Sequence, residues 1–246
     1  MFRKLLMSTA FIVGAMGAAS AADLPSRKAP PAYMPPPLPI FTWTGVYVGA
    51  QIGYQWGTST TGLAATAGGP VVIGLPNYSP SGVVGGAHIG YNYQIGPLVA
   101  GLEGEVDGTN YKGGNTVPGF TYGTREDIEG SIRGRLGYAF DHALIYATGG
   151  AAFAGLKNTY TGVGGVFDGP SKTRVGWTVG GGLEYAIDNN WSVRGEYRYT
   201  DYGTYSDFLP NNGGFFAKKH ETDNRVTVGF SYKFDLMGSA PVFAKY

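Results

Sequence analysis

The sequence predicts an all-β protein, an eight-stranded antiparallel up-and-down transmembrane β-barrel, and three observations predict it. Side chains alternate with period two along eight segments; apolar side chains keep to one face of each segment; and the connections alternate between short and long. Composition narrows the field in the same direction. A hydrophobic content of 43% supplies ample apolar surface, yet a mean hydropathy of −0.08 is far too low for a bundle of apolar helices, so any membrane crossing must use strands. The 42 glycines follow no Gly-X-Y period, which excludes collagen. Charge nearly cancels, 18 Lys+Arg against 17 Asp+Glu, leaving neither a basic footprint for nucleic acid nor an excess that would hold the chain disordered. With no cysteine there are no disulfides and no thiolate metal sites.

The first element is a cleaved export signal over 1–21. Arg3 and Lys4 form its positive start, 5–18 is apolar and rich in small residues, and Ala19-Ser20-Ala21 fits the small-x-small cleavage pattern. Its roughly 14 apolar residues fall short of the roughly 20 that a spanning helix needs. Next comes a Pro-rich periplasmic linker, 22–42, with prolines at 25, 30, 31, 35, 36, 37 and 39, too rigid and too poor in hydrogen-bond donors for helix or sheet. A Pro-rich ligand for a partner domain is the alternative, and contact with peptidoglycan stays open.

The barrel itself is predicted over 43–234, with strands near 44–56, 83–94, 98–107, 127–140, 143–154, 174–187, 191–202 and 225–234. Most are close to the roughly 9 to 11 residues of a tilted membrane-spanning strand. In 127–140 one face carries Ile128, Ile132, Leu136, Tyr138 and Phe140, the other Asp127, Glu129, Ser131, Arg133 and Arg135. The last strand sorts Val226, Val228, Phe230, Tyr232 and Phe234 from Arg225, Thr227, Ser231 and Lys233 in the same way. Short connections at 95–97, 141–142 and 188–190 carry turn chemistry, whereas 57–82, 108–126, 155–173 and 203–224 read as long loops rich in Gly, Thr, Asn and Pro. Short turns are therefore expected in the periplasm and four long, mobile loops outside. A soluble sandwich would alternate too, but aromatic residues separate the readings. Tyr91, Tyr93, Tyr138, Phe140, Tyr185, Trp191, Tyr232 and Phe234 gather beside the short turns, and Tyr54 and Trp56, with Tyr197 and Tyr199, near the other end, as interfacial girdles do. Twelve residues, 235–246, follow as a C-terminal tail.

On these motifs the chain resembles a known family. The start at 21–25 (Ala-Ala-Asp-Leu-Pro), the run Trp43-Thr-Gly-Val-Tyr-Val-Gly49, Tyr146-Ala-Thr-Gly-Gly150 and the closing strand 226–234 are similar to small OmpA/OmpX-like outer-membrane barrels, particularly the porin-family surface proteins of alphaproteobacteria. The resemblance covers nearly the whole chain. It implies outer-membrane lipid and lipopolysaccharide as surroundings and the barrel assembly machinery as a partner. A barrel ordinarily ends on its final aromatic, and the tail after Phe234 departs from that pattern.

Parity assigns to the lumen Glu103, Glu105, Asp107, Asp127, Glu129, Glu184 and Glu196 against Arg133, Arg135, Arg174, Arg194, Arg198, Arg225 and Lys233. An eight-stranded interior is just wide enough for side chains to fill, so balanced charge predicts a paired plug. Charge on this face should also be tolerated at Ser131. If the turn at 188–190 sets 187 opposite 191, Glu184 faces Arg194 and is expected to take it as its counter-charge, while Gly182 faces Glu196 and Gly180 faces Arg198, glycine making room for the long side chains, easing barrel curvature, or both. Glu103 and Glu105 could be drawn as an acid/base couple, and Ser206, Asp207 and His220 as a loop-borne catalytic set, but structural pairing and a polar loop account for both. His88, His142 and His220 lack metal-ligand spacing, so no metal is read, and no cofactor motif appears. The function expected is structural: a non-enzymatic outer-membrane protein that displays surface loops and supports the envelope. A small-solute porin is the runner-up, and loop-borne ligand capture or adhesion a third reading.

Overall fold

The computed structural model describes residues 41–162, 164–168, 172–209 and 214–234, so the predicted signal, most of the linker and the tail 235–246 lie outside the described residues. In chain order the strands are β1 (Gly45–Ala64), β2 (Val71–Gly74), β3 (Ser81–Ile95), β4 (Leu98–Thr109), β5 (Lys112–Val117), β6 (Phe120–Phe140), β7 (Ala143–Gly162), β8 (Gly165–Asp168), β9 (Lys172–Ala186), β10 (Trp191–Phe208) and β11 (Phe216–Phe234). Eight form a ring in the order β1-β11-β10-β9-β7-β6-β4-β3, and β3 pairs back onto β1 to close it. Every neighbouring pair is antiparallel. Closure leaves no unpaired backbone edge to face lipid.

Turn chemistry sets the short end. Gly96 and Asp141 adopt φ values of 58° and 55°, the left-handed region that a two-residue hairpin turn between β3 and β4, or β6 and β7, requires. At 188–190 the Asp188 carboxylate accepts from the amides of Asn190 (2.8 Å) and Trp191 (2.7 Å). These contacts hold its carboxyl below the usual carboxylate range. The turn sets the register expected of it, with Arg194 opposite Glu184, Glu196 opposite Gly182 and Arg198 opposite Gly180.

The long end departs from the sequence reading. Residues taken as loops continue the strands well past the apolar bands: β1 runs on to Ala64, β6 begins at Phe120, β7 ends at Gly162, and β11 begins at Phe216. The additional short strands pair onto them, β2 on β1, β5 on β6 and β8 on β7. Alternation of apolar and polar residues fades there because the outward face turns polar while the inward face mixes polar groups with buried tyrosines such as Tyr122 and Tyr160, and the backbone ladder simply continues.

Outward residues form the apolar surface, with Ile52, Ile89, Leu102, Ile132, Leu183 and Val228 all exposed. Of the girdle residues, Tyr54, Trp56, Tyr91, Tyr93, Tyr138, Phe140, Tyr185, Trp191 and Phe234 are exposed, whereas Tyr232 is half-buried between Trp191 and Phe234, each with ring centroids 5.1 Å from its own. Inward positions are polar, the inverse of a soluble core. The first strand starts at Gly45, two residues later than the expected barrel boundary, because Trp43 turns inward at the short-turn mouth. There its backbone amide donates to Gln94 (2.8 Å), its indole donates to the Asp141 carbonyl (3.2 Å), and Phe41 stacks on His142 at 4.8 Å.

Candidate functional site: a charge-filled lumen

The lumen is a column of interlocked ion pairs. Arg133, wholly buried on β6, sits at its centre and donates to Glu103 (2.5 Å), Glu105 (2.8 Å) and Glu196. Arg194 reaches the second oxygen of Glu103 (2.5 Å), and Arg198 reaches Glu105 (2.6 Å). Arg225 holds Glu105 (3.0 Å) and Asp107 (2.7 Å), touches Glu129, and donates to Gln55 (3.0 Å). Toward the short turns Arg135 grips Glu184 and lies 3.7 Å over the Tyr146 ring. Tyrosine hydroxyls tie the layers together, Tyr47 donating to Glu103 (2.8 Å) and Tyr146 to Glu196 (3.1 Å). Because strands rather than loops present these groups, each side chain's height is fixed by ladder register.

Two sequence assignments are corrected by this geometry. Glu184 and Arg194 are cross-strand neighbours, but Glu184 pairs with Arg135 while Arg194 crosses the lumen to Glu103. In a narrow barrel, long side chains meet partners across the interior as readily as along the wall, which strand register alone does not reveal. Asp127 does not face inward: the β6–β7 ladder shifts between Glu126 and Glu129, so Glu126 and Glu129 are both buried and Asp127 is exposed, paired with Arg125 at 2.7 Å. A bulge of this kind resets parity for every residue beyond it.

Other candidates also find their places. Lys233 lies at the rim, where its ammonium donates to the Thr42 carbonyl and stands 4.9 Å from the centre of the Phe41 ring. Arg174 belongs to the far end, donating to Asp207 at 3.1 Å over the ring of Tyr205. Ser131 is buried among these charges, and its hydroxyl accepts from Arg198 (3.4 Å). Glu103 and Glu105 are each bound by two or more guanidinium groups rather than set apart as acid and base. Ser206, Asp207 and His220 do not assemble: Asp207 is buried beside Arg174, whereas His220 sits near Asp201 (3.8 Å) and Thr204 (3.2 Å). His88 is buried between Gln51 (2.5 Å) and Ser231 (2.9 Å).

A second network, absent from the sequence reading, closes the far end. Lys219, wholly buried, donates to Tyr78 (2.8 Å), Asn158 (2.9 Å) and Thr124. Asp207 accepts from Asn158 (2.8 Å) and Tyr160 (3.2 Å), and Tyr205 donates to Glu221 (2.5 Å). Above them Tyr78, Tyr122, Tyr160, Leu209 and Ala217 pack as an apolar lid. The only sequence signal was the weak period-two placing of Lys219, Glu221 and Asp223, masked by polar residues on both faces.

Glycine governs how closely these layers pack. A Cβ at Gly182 would lie 2.6 Å from the Tyr146 hydroxyl and 2.4 Å from the Gly195 carbonyl, so glycine opposite Glu196 is what lets Tyr146 reach that carboxylate. At the short-turn mouth the space enclosed by residues including Trp43, Tyr47, Asn92, Glu184 and Ser231 is about 20 Å³, about one water.

Comparison with known proteins agrees with this architecture. A family model described as outer membrane protein beta-barrel domain matches residues 10–234. The 25 kDa outer-membrane immunogenic protein of Brucella canis is 32% identical over 94% of this chain and 98% of its own length. The 31 kDa outer-membrane immunogenic protein of Brucella melitensis is 32% identical over 80% of this chain and 86% of its own. Among solved structures, the outer membrane protein OprG from Pseudomonas aeruginosa shares the fold, with a TM-score of 0.51 at 12% identity, covering 78% of this chain and 96% of that one.

Proposed function

From the premise that this chain belongs to the outer membrane protein beta-barrel family, we propose that it is a non-enzymatic, structural barrel whose interior is closed to solutes and whose extended hairpins are displayed at the cell surface. The observation that carries this reading is the filled lumen: Arg133 alone spans three carboxylates, and the Lys219 layer and the Trp43 mouth stop the two ends. Ions crossing such an interior must displace buried charge pairs, each costing roughly 3 to 5 kcal/mol to leave unpaired.

The short turns and the N-terminal segment are assigned to the periplasm and the long hairpins to the exterior, as barrels of this class are built. The name "immunogenic" carried by the Brucella relatives fits surface display. Single-channel recording of the refolded protein tests the closed lumen. Rare, small openings are expected, and steady conductance of the general-porin kind would replace this reading with that of a solute channel. The cysteine-free chain makes the orientation test simple: Cys at Thr66 should react with a membrane-impermeant maleimide on intact cells, and Cys at Asn189 should not.

A further inference from the structure

Between the ion-paired column and the Lys219 layer lies a layer of carboxylates with no cation of its own. Glu126 on β6 and Glu221 and Asp223 on β11 are buried, at 1%, 3% and 5% exposure, and β6 and β11 stand on opposite sides of the eight-stranded ring. The bulge that leaves Asp127 outside is what brings Glu126 in. Below this layer Arg198 and Arg225 are committed to Glu105, Asp107 and Glu129. Above it Lys219 approaches Glu221 at 3.9 Å, while Tyr205 donates to the same carboxylate. Among the described residues no ion pair involves Glu126 or Asp223, and one oxygen of each of the three acids lacks a hydrogen-bond partner.

The walls around these acids are polar but uncharged. Ser59 on β1, wholly buried and directly opposite Glu221, turns into the layer a hydroxyl that has no partner. Gly57 is opposite Asp223, and a Cβ there would collide with the hydroxyl of Tyr111, so that phenol lies beside the same rung. Tyr202, buried on β10, faces both Glu126 and Asp223. Glu126 and Asp223 lie past the apolar band, beyond Ile128 and Val226. Two buried carboxyls without a cation favour the neutral, protonated form, because burial and mutual repulsion both oppose ionisation. Burial, and then the charge of Asp223, hold the Glu126 carboxyl well above the usual carboxylate range against the pull of Arg225. Burial, opposed by Arg198, pushes Asp223 up to about 8. Burial also raises the phenols of Tyr111 and Tyr202, which keep their protons.

We propose that Glu126 and Asp223 form a proton-operated latch: protonated, they let the far ends of β1, β6 and β11 close over the charged column, and ionised, they drive those ends apart. The latch belongs to the extended hairpins and depends on neither the conductance nor the orientation proposed above. Its sign is definite. A carboxyl that keeps its proton to about pH 8 when closed, and releases it near its ordinary value of about 4 when open, makes closure most favourable at acidic pH. Closure then weakens by about tenfold per pH unit, for each proton released, as pH rises between those values.

The test is amide hydrogen exchange on the full-length mature protein refolded into phosphatidylcholine vesicles, read as protection factors so that the intrinsic pH dependence of exchange drops out. Protection over 57–64, 120–126 and 216–223 should fall by about a hundredfold between about pH 5.5 and about pH 7.5. Amides over 128–140, within the membrane, should stay protected throughout, which also shows that each variant folds. Glu126→Gln with Asp223→Asn should flatten the slope and hold the protection at neutral pH near the acidic value of wild type. Either replacement alone should flatten part of it, so the outcome does not hang on the double variant. Asp127→Asn, exposed beside the same bulge, should keep the wild-type slope. Protection of the far ends that does not change with pH, or a slope that survives the double replacement, would overturn the latch. If calcium at neutral pH restores the acidic level of protection and a chelator removes it, the layer takes a metal ion and the proton assignment fails.

Discussion

Arg133 is the residue on which the interior turns. Replacing it by Ala leaves Glu103, Glu105 and Glu196 short of a shared counter-charge, and a loss of about 3 to 5 kcal/mol in bilayer refolding stability is expected. Pairing across the lumen rather than along the wall makes a sharper prediction. In double-mutant cycles to Gln, Arg135 and Glu184 should couple strongly and Arg194 and Glu184 weakly, although the latter are the register neighbours. Equal coupling in the two cycles would mean that wall adjacency, not cross-lumen contact, holds the plug together.

At the scale of the strand, depth on the outer face decides what a charge costs. Ile132→Arg on β6 places a guanidinium in the apolar band and should cost about 2 to 4 kcal/mol if it lies near the midplane, whereas Thr121→Arg, on the same strand beyond the band, should be close to neutral. Urea titrations in vesicles would show the difference, and matching losses would displace the band. The 188–190 turn carries a pH dependence of definite sign. Hydrogen bonds to its backbone hold the Asp188 carboxyl below its ordinary value near 4, so its contribution is present above that pH and is lost as pH falls through the lowered value. Comparing wild type with Asp188→Ala between neutral and acidic pH, the stability gap should narrow only at the acidic end.

For the whole molecule, two stoppers and a charged column act in series. Trp43→Ala with Phe41→Ala should open the short-turn mouth without producing steady conductance, because the ion-paired layers above remain. Removing Arg133 as well should raise both the frequency and the size of openings. If the double variant at the mouth conducts steadily, the seal resides in the N-terminal segment and not in the charges.

Much of this protein is written in residue order. The eight membrane strands, the three tight turns and the inward placement of Glu103, Glu105, Arg133, Arg135, Glu184, Arg194, Glu196 and Arg198 follow from period-two alternation, because lipid outside and polar packing inside impose opposite demands on successive side chains. Three things needed the folded chain. The extension of β1, β6, β7 and β11 past the apolar band was hidden because the outward face turns polar there while the inward face mixes polar and aromatic residues, and alternation loses contrast. The outward turn of Asp127 came from a bulge that no local propensity marked. The identity of each ion-pair partner depended on which side chains meet across a closed ring, a property of closure and stagger that belongs to all eight strands together and to none of them alone.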